Sequence, residues 1–136
     1  MSHPLYLASL VGVGGFAGSV VRYGLSMAAQ RLSIEWPVGT LAANVAGCLL
    51  IGGIVGISTR GETLSPEMRL MLATGFCGGF TTMSSFMYET AAMIRDSEYF
   101  HAVVYAAGTL VLSMAAFAAG IAVFRILARI GGGLWS

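Results

Sequence analysis

Charged side chains are scarce in this chain of 136 residues, and lysine is absent altogether. Charged residues make up only 10% of the sequence, whereas soluble domains carry roughly 25%. Hydrophobic residues make up 57%, and the mean hydropathy is +0.82. This composition excludes an ordinary soluble domain and predicts an integral membrane protein with little mass outside the bilayer. The seven basic residues are scattered and the net charge is +1, so no basic patch indicates nucleic-acid binding.

Clusters of catalytic or metal-binding side chains are also missing from the sequence. Without a nucleophile–base pair or a group of metal ligands, an enzyme is not expected. Cys48 and Cys77 both lie in apolar stretches, where we expect small packing residues rather than a disulfide or a metal site. The N-terminus has no basic stretch before its apolar run, and that run is too long for a signal peptide, so we expect a retained span.

Long apolar runs fill most of the chain and predict an all-α membrane protein with four transmembrane helices. A bilayer core about 30 Å thick needs about 20 apolar residues per helix. Four such helices with short connectors nearly use up the sequence, which predicts one transmembrane domain over residues 1–136. The predicted spans cover residues 5–29, 38–58, 67–95 and 100–127, and the third is expected to break near residues 78–82.

The stretch GFCGGFTTMSSF, Gly75 to Phe86, interrupts the third apolar run. Gly78 and Gly79 predict a loose backbone at this point. Four hydroxyl residues follow them, namely Thr81, Thr82, Ser84 and Ser85. Non-helical backbone at membrane depth is tolerated only where it is buried in protein or lines a cavity, and interrupted spans commonly hold ion sites in transport proteins. The stretch therefore predicts an ion pathway.

Glycines at near-helical spacing predict a packing face on the first span. Gly12, Gly15 and Gly18 recur every three residues there. Because small residues let helices approach closely in lipid, we expect these three glycines to contact another helix.

Two polar positions in the first and second spans are candidate functional residues. Arg22 lies in the last third of the first span, where it either anchors the interface beside Tyr23 or faces water in an anion path. In the second span, Thr40, Asn44 and Gly47 share one helical face. Asn44 is either interhelical glue or an anion ligand, since its NH2 group offers two donors.

The third and fourth spans add an acid and a hydroxyl stripe. Glu89 is the sole acid well inside an apolar run, which makes it a functional candidate unless it reaches the interface near Arg95. Tyr105, Thr109 and Ser113 recur at every fourth position of the last span and therefore form one stripe on that helix.

Arginine placement gives only a weak orientation signal. With four spans, both termini lie on the same side of the membrane. That side carries four arginines, Arg60, Arg69, Arg125 and Arg129. The other side carries Arg31 and Arg95, and also Arg22 if it reaches the surface. Such a weak positive-inside bias allows insertion in both orientations. An antiparallel homodimer is then the two-chain counterpart of the inverted repeats common in transporters. Four helices alone make a poor pore, because a small bundle fills its own centre with side chains.

Together these motifs resemble the CrcB/Fluc family of fluoride channels over almost the whole chain. The resemblance rests on GGFAGSVVRY in the first span, GTLAANVAG in the second, GFCGGFTTMSSF in the third and the hydroxyl stripe in the fourth. It implies a dual-topology, antiparallel homodimer in the lipid bilayer, with two fluoride pathways along the subunit interface. It further implies passive, fluoride-selective export across a bacterial inner membrane.

The family pattern assigns roles to polar residues of this sequence. It implies that Asn44 donates to fluoride, with Thr40 nearby and Arg22 in the vestibule region. The positions that match its polar track and its tyrosine are Ser84, Ser85, Thr109, Ser113 and Tyr105.

The resemblance also covers the aromatic positions and a cation site. Phe86 matches the second of two phenylalanines whose ring edges face the ion, and Glu89 matches an acidic position beyond it. Gly78 and Thr81 match the pair whose backbone carbonyls hold a structural sodium ion at the dimer centre. Met83 stands where the family usually has its first phenylalanine. The edge of a phenylalanine ring carries partial positive charge, whereas the thioether sulfur of methionine is a weak acceptor and would not attract an anion. We expect fluoride conduction to survive this difference, with an altered rate or affinity.

Two other functions remain open on the sequence, a coupled carrier and a structural subunit, and a small multidrug exporter is nearly excluded by the absence of an acid from the first span. A coupled fluoride carrier would use Glu89 as its titrating group. A small multidrug exporter needs a carboxylate in its first span, and residues 1–34 contain no Asp or Glu. In a structural subunit, Asn44 and the hydroxyl stripe would serve only as packing contacts.

Overall fold

The computed structural model describes residues 3–31, 36–58 and 64–133, and all regular structure in those ranges is helical. The elements in chain order are α1 (Pro4–Gln30), α2 (Val38–Ser58), α3 (Pro66–Arg69), the π-helix π1 (Leu70–Cys77), α4 (Gly78–Phe80), α5 (Met83–Arg95) and α6 (Tyr99–Gly133). We call residues 66–95, from α3 to α5, the broken segment. The expected connectors over residues 32–35 and 59–63 lie outside the described residues.

Three of these helices, α1, α2 and α6, are long and apolar enough to cross a membrane. Their bounds agree with the predicted spans to within one residue, except that α6 continues to Gly133. Only 6% of the most apolar window of α6 and 11% of that of α1 is buried. Such extensive exposed apolar surface requires lipid or a protein partner to cover it. The chain is therefore an integral membrane protein, and the broken segment has no single helix of spanning length among its described elements.

The broken segment packs backbone to backbone against α1. A methyl group added at Gly18 would lie 2.1 Å from the Phe76 carbonyl oxygen, and one added at Gly79 would lie 2.3 Å from the Gly15 carbonyl oxygen. Gly14 is equally confined. Since lipid provides no hydrophobic driving force between helices, close approach through small residues supplies much of their association energy.

The glycine face of α1 differs in part from the prediction. Gly15 and Gly18 do contact the broken segment, but a methyl group added at Gly12 would meet nothing within 4 Å. Gly14, one helical turn before Gly18, takes the expected place of Gly12. At 100° per residue, Gly12 lies almost opposite Gly14 on the helix, so the prediction that Gly12 packs against another helix is wrong.

Glycines also bring α2 against α6. A methyl group at Gly52 would lie 2.2 Å from the Phe117 carbonyl oxygen, and one at Gly120 would lie 2.2 Å from the Leu49 carbonyl oxygen. The ring of Phe124 covers Gly53 in the same contact. This contact fixes the axial position of α6 relative to α2, and with it the hydroxyl stripe relative to Asn44.

The interruption falls at Thr81 and Thr82, inside the predicted interval of residues 78–82. Both have extended backbones, with φ −81° and ψ 159° at Thr81 and φ −149° and ψ 113° at Thr82. Gly78, however, has helical angles of φ −62° and ψ −38° and begins α4. The prediction of loose backbone at Gly78 and Gly79 is therefore wrong. Gly79 is needed for the close contact with α1, not for an unusual conformation.

Candidate functional site

The side-chain amide of Asn44 forms hydrogen bonds with the backbone at the interruption. Its Oδ1 accepts a hydrogen bond from the Thr82 N–H at 2.8 Å, and its Nδ2 donates to the Thr82 carbonyl oxygen at 3.1 Å. The predicted face of α2 brings it there, because a methyl group at Gly47 would lie 2.2 Å from Thr81 Cγ2. One Nδ2 hydrogen is left over, so Asn44 both clamps the backbone and keeps a donor for another group.

The hydroxyls after the interruption cap α5. Thr82 is the N-cap, and its Oγ1 accepts from the Ser85 N–H at 3.1 Å. The same hydroxyl donates to Ser85 Oγ at 3.0 Å and lies 3.3 Å from Ser84 Oγ. This network satisfies a backbone donor that the start of a helix leaves unpaired. Ser84 and Ser85 therefore form hydrogen bonds with the Thr82 side chain, and neither lines the cavity described next.

A cavity of about 210 Å³ opens beside the interruption. Its wall consists of Asn44, Cys48, Thr81, Thr82, Met83, Phe86, Thr109, Leu110 and Ser113. We call it the inner cavity. At roughly 30 Å³ per water molecule, it has room for several waters or a small ion. None of its lining residues carries a charge, so any bound ion would meet neutral groups only.

Two hydroxyls of α6 on the wall of the inner cavity have no hydrogen-bond partner among the described residues. Thr109 Oγ1 and Ser113 Oγ are both buried, and Thr109 is only 4% exposed. Buried polar side-chain atoms are nearly always hydrogen-bonded, and an unpaired one costs about 1–3 kcal/mol. Two such hydroxyls on one cavity indicate a polar occupant, either water or an ion that accepts hydrogen bonds.

Glu89 lies one helical turn beyond Phe86, in a network of its own. Its Oε1 accepts from Thr40 Oγ1 at 2.7 Å, and its Oε2 accepts from the Tyr105 hydroxyl at 2.6 Å. Thr40 and Tyr105 are buried, and the Phe86 and Tyr105 rings lie 5.4 Å apart. Glu89 is thus tied to α2 and α6 rather than to Arg95, which pairs with its neighbour Asp96.

A second, smaller cavity of about 90 Å³ lies on the far side of this network. We call it the outer cavity; Thr40 and Glu89 line it together with Ser26, Gly39 and Trp36 among others. One helical turn separates Thr40 from Asn44 on α2, and another separates Tyr105 from Thr109 on α6. The two cavities therefore follow one another along α2 and α5, with Phe86 on the wall of the inner cavity and Glu89 on the wall of the outer one. Residues of α6 complete the inner cavity and residues of α1 complete the outer one.

Met83 and Arg22 differ in their relation to these cavities. Met83 lines the inner cavity beside Phe86 but is 66% exposed on this chain, whereas Phe86 is buried. Arg22 is half-buried, lines neither cavity and makes no ion pair or hydrogen bond with the part of the chain that the structure describes. Tyr23 beside it is exposed.

The interruption frees backbone carbonyls next to the cavity. In a continuous helix the Thr82 N–H would donate to the Gly78 carbonyl oxygen, but it donates to Asn44 instead. Thr81 lies outside both flanking helices, and the neighbouring Gly79 carbonyl oxygen accepts from Ser19 Oγ at 3.3 Å. Gly78 faces open space, since a methyl group there would meet nothing within 4 Å. The described residues contain no group of three metal-binding side chains.

Sequence reasoning missed three residues of the inner cavity as site residues: Cys48, Thr82 and Leu110. Cys48 is free and lies one turn after Asn44 on α2, so helical periodicity could have placed it on the wall. Thr82 was recognised only as one of four hydroxyls. Leu110 carries no polar signal that could have identified it.

The arrangement of the inner cavity suits a small, strongly hydrated anion. Its donors are two hydroxyls and an amide hydrogen, and Phe86 adds an aromatic ring whose edge is electropositive. Neutral donors can replace part of an anion's water without the tight binding of a permanent positive charge. No nucleophile–base pair appears on its wall.

Comparison with known proteins gives one family. The model of the family described as CrcB-like protein, Camphor Resistance (CrcB), matches residues 9–121. A protein of Chlorobium phaeobacteroides (strain BS1), named Fluoride-specific ion channel FluC, is 49% identical over 102 residues, which cover 75% of this chain and 80% of that protein. The proteins of the same name from Prosthecochloris aestuarii and Rhizobium etli are 47% and 46% identical, covering 86% and 88% of this chain and 91% and 97% of their own length.

Proposed function

The chain belongs to the CrcB-like family, and from this membership and the geometry of the two cavities we propose that it is a fluoride-selective ion channel. It lets toxic fluoride leave the cell passively and performs no chemical reaction, in keeping with relatives that are named ion channels. The bacterial inner membrane is its proposed location.

The observation that carries this proposal is the pair of unpartnered hydroxyls, Thr109 and Ser113, on the inner cavity. Moving an unscreened ion from water to a medium of low dielectric constant costs on the order of 20 kcal/mol. These hydroxyls, the free hydrogen of Asn44 and the edge of Phe86 offset part of that penalty. Because each contact is weak, fluoride binds well enough to enter and loosely enough to leave.

The route runs from the inner cavity past Phe86 to the outer cavity. Thr40, Tyr105 and Glu89 lie at the junction of the two cavities. Arg22, half-buried on α1, attracts anions toward the entrance of the pathway. Ser84 and Ser85 support the route indirectly by fixing Thr82 at the start of α5.

We propose that two oppositely oriented copies form the active unit. The inner cavity is open on one side, where Met83 is exposed, so a second chain is needed to close it. The apolar surfaces of α1 and α6 offer the area for such a contact. The weak arginine bias permits both orientations in the membrane, and the symmetric dimer then contains two fluoride pathways.

A structural sodium ion fits the freed carbonyls at the dimer centre. Small hard cations prefer oxygen ligands, and the Gly78 and Thr81 carbonyl oxygens have lost their helical partners at the interruption. Gly78 also faces open space, which leaves room for the same residues of a second copy. When bound, the ion supplies positive charge that offsets repulsion between the carbonyl dipoles of the two chains.

Ion efflux from liposomes that contain only the purified protein tests the proposed function. Vesicles loaded with fluoride should release it rapidly, and matched vesicles loaded with chloride should retain their contents. A correctly folded preparation that releases neither ion, or releases both at the same rate, contradicts the proposal.

A coupled fluoride carrier is the second candidate, and the position of Glu89 between the two cavities favours it. A carrier must rearrange once per cycle, and such motions take microseconds to milliseconds or longer. Turnover far above roughly 10³ ions per second therefore indicates a channel. A slower rate that requires a proton gradient and disappears in Glu89→Gln would indicate the carrier.

A further inference from the structure

The thioether of Met83 lies on the wall of the inner cavity, which it shares with Asn44, Thr109 and Ser113. Its 66% exposure on the single chain is on the side that the second copy is proposed to close, so the cavity itself is its point of access. We propose that Met83 is an oxidation site and that its sulfoxide blocks the anion path. This inference rests on the proposed function, because it assigns a consequence to oxidation of the pathway's own wall.

A peroxide can reach this sulfur by the route that water and ions use. Hydrogen peroxide is neutral, and the inner cavity of about 210 Å³ is several times the roughly 30 Å³ that a water molecule occupies. Cys48, the other sulfur on the wall, is less exposed than Met83. A thiol is oxidised through its thiolate, whereas the thioether of Met83 needs no deprotonation before it reacts.

The reaction transfers one oxygen atom. A lone pair of Met83 Sδ attacks one peroxide oxygen, a sulfur–oxygen bond forms, and the O–O bond breaks. The other peroxide oxygen leaves as hydroxide and becomes water when it takes up the proton of the transferred oxygen. Sulfur loses two electrons and the peroxide gains them, so the products are a methionine sulfoxide and one water molecule.

The sulfoxide changes the electrostatics of the cavity wall. A thioether is a weak acceptor, whereas a sulfoxide is polar and carries a strongly accepting oxygen. Thr109 Oγ1 and Ser113 Oγ have no partner among the described residues, so none of those residues competes for their hydrogens. They donate to the sulfoxide oxygen, and the anion then meets fewer donors and an added negative dipole.

Other exposed methionines provide matched controls. Met114 is 69% exposed, follows Ser113 directly, and is not on the cavity wall. Oxidation there adds the same polar group to the protein surface without touching the cavity donors. Met83→Leu and Met83→Phe both remove the sulfur from the wall and differ in shape, which guards against a variant that fails to fold.

The test compares fluoride efflux before and after hydrogen peroxide treatment of liposomes. Each variant is measured against its own untreated rate. We expect the unsubstituted protein and Met114→Leu to lose flux at least about tenfold, because each hydroxyl that the sulfoxide oxygen engages is one hydrogen-bond donor lost to the ion. Met83→Leu and Met83→Phe should keep most of theirs. Peptide mass mapping of the same samples should find one added oxygen atom on Met83.

Three results would overturn the inference. The first is an equal loss of flux in the unsubstituted protein and in the variants that lack the Met83 sulfur. The second is full flux in a sample whose Met83 is completely oxidised. The third is an unmodified Met83 in a sample whose Met114 is oxidised. Absence of fluoride flux before any treatment would instead count against the channel function itself. The mapping would still report whether the sulfur is reachable, so the two failures are distinguishable.

Discussion

At the scale of single residues, Thr109 offers a substitution that separates ion binding from folding. Its hydroxyl is buried without a partner among the described residues, so replacing it with a methyl group removes a buried polar atom that makes no bond. We expect Thr109→Val to leave the thermal unfolding temperature in detergent unchanged or slightly higher. Fluoride efflux should fall about tenfold, because one donor to the ion is lost.

Thr90→Val is the matched control for that substitution. The Thr90 hydroxyl donates to the Phe86 carbonyl oxygen at 2.8 Å on its own helix, and Thr90 lines neither cavity. The control should conduct fluoride at the rate of the unsubstituted protein. If Thr109→Val conducts as well as Thr90→Val, the hydroxyl stripe is not part of the ion path.

Asn44 should behave differently, because its amide is bound into the backbone. Asn44→Ala removes both hydrogen bonds to Thr82 and leaves a buried N–H without its acceptor. The expected destabilisation is about 2–4 kcal/mol, accompanied by loss of fluoride flux. Thermal unfolding and liposome efflux measured on one preparation check both effects. Unchanged stability would contradict the clamp between α2 and the interruption.

At the scale of elements, the contact between α1 and the broken segment depends on glycines such as Gly14 and Gly18, because any side chain at these positions would collide with the neighbouring backbone. Gly18→Ala places a methyl group 2.1 Å from the Phe76 carbonyl oxygen, so the helices must separate. We expect a loss of about 1–3 kcal/mol in the free energy of unfolding. Chemical or thermal unfolding in detergent micelles measures it.

Gly12→Ala on the same helix provides the comparison. A methyl group there meets nothing within 4 Å, and alanine is favoured over glycine in a helix by up to about 1 kcal/mol. The variant should be as stable as the unsubstituted protein or more stable. Equal destabilisation by the two substitutions would mean that α1 does not pack on the broken segment as described.

The positions of the long helices could be predicted from sequence because the constraint is local. An apolar run of about 20 residues is enough to span a bilayer, and the predicted second span coincides with α2, Val38–Ser58. The π-winding of Leu70–Cys77 has no such signature. It lies where Gly75 meets Gly14 of α1, so a tertiary contact accompanies it, and single-sequence patterns do not register such contacts.

The polar residues of the candidate site could be predicted from the sequence, whereas the position of the helix interruption could not. Asn44, Glu89 and the hydroxyl stripe stand out because polar groups in apolar runs are few. The structure brings Asn44, Glu89, Thr109 and Ser113 to the walls of two cavities, and the Tyr105 hydroxyl donates to Glu89. The exact interruption was not predictable from glycines. A side chain on another helix captures the Thr82 backbone, and this long-range bond determines where the helix stops.

At the scale of the whole molecule, exposed surface and arginine balance together bear on assembly. The chain leaves most of α1 and α6 uncovered and keeps Met83 exposed on its cavity. A dimer of opposite orientations would require both orientations in one membrane. Charge at the helix ends controls orientation, so substitutions of exposed end residues should control activity without entering the ion path.

Two variants with opposite charge bias test this assembly. One combines Arg125→Ala, Arg129→Ala and Glu98→Lys, which moves positive charge away from the side of the termini. The other combines Arg95→Ala and Ile130→Lys, which moves it toward that side. All five positions are exposed, and the Arg95–Asp96 ion pair contributes little at the surface. Each variant alone should insert mainly one way and should therefore lack its antiparallel partner.

The expected result is loss of fluoride flux for either variant alone and its recovery when both are expressed together. Flux in membrane vesicles from the expressing cells measures activity, and protease access to a C-terminal tag measures orientation. The unsubstituted chain should show the tag on both faces. Full flux from a variant whose tag lies on one face only would contradict the antiparallel pair, because no oppositely inserted copy would then be present to close the cavity beside Met83.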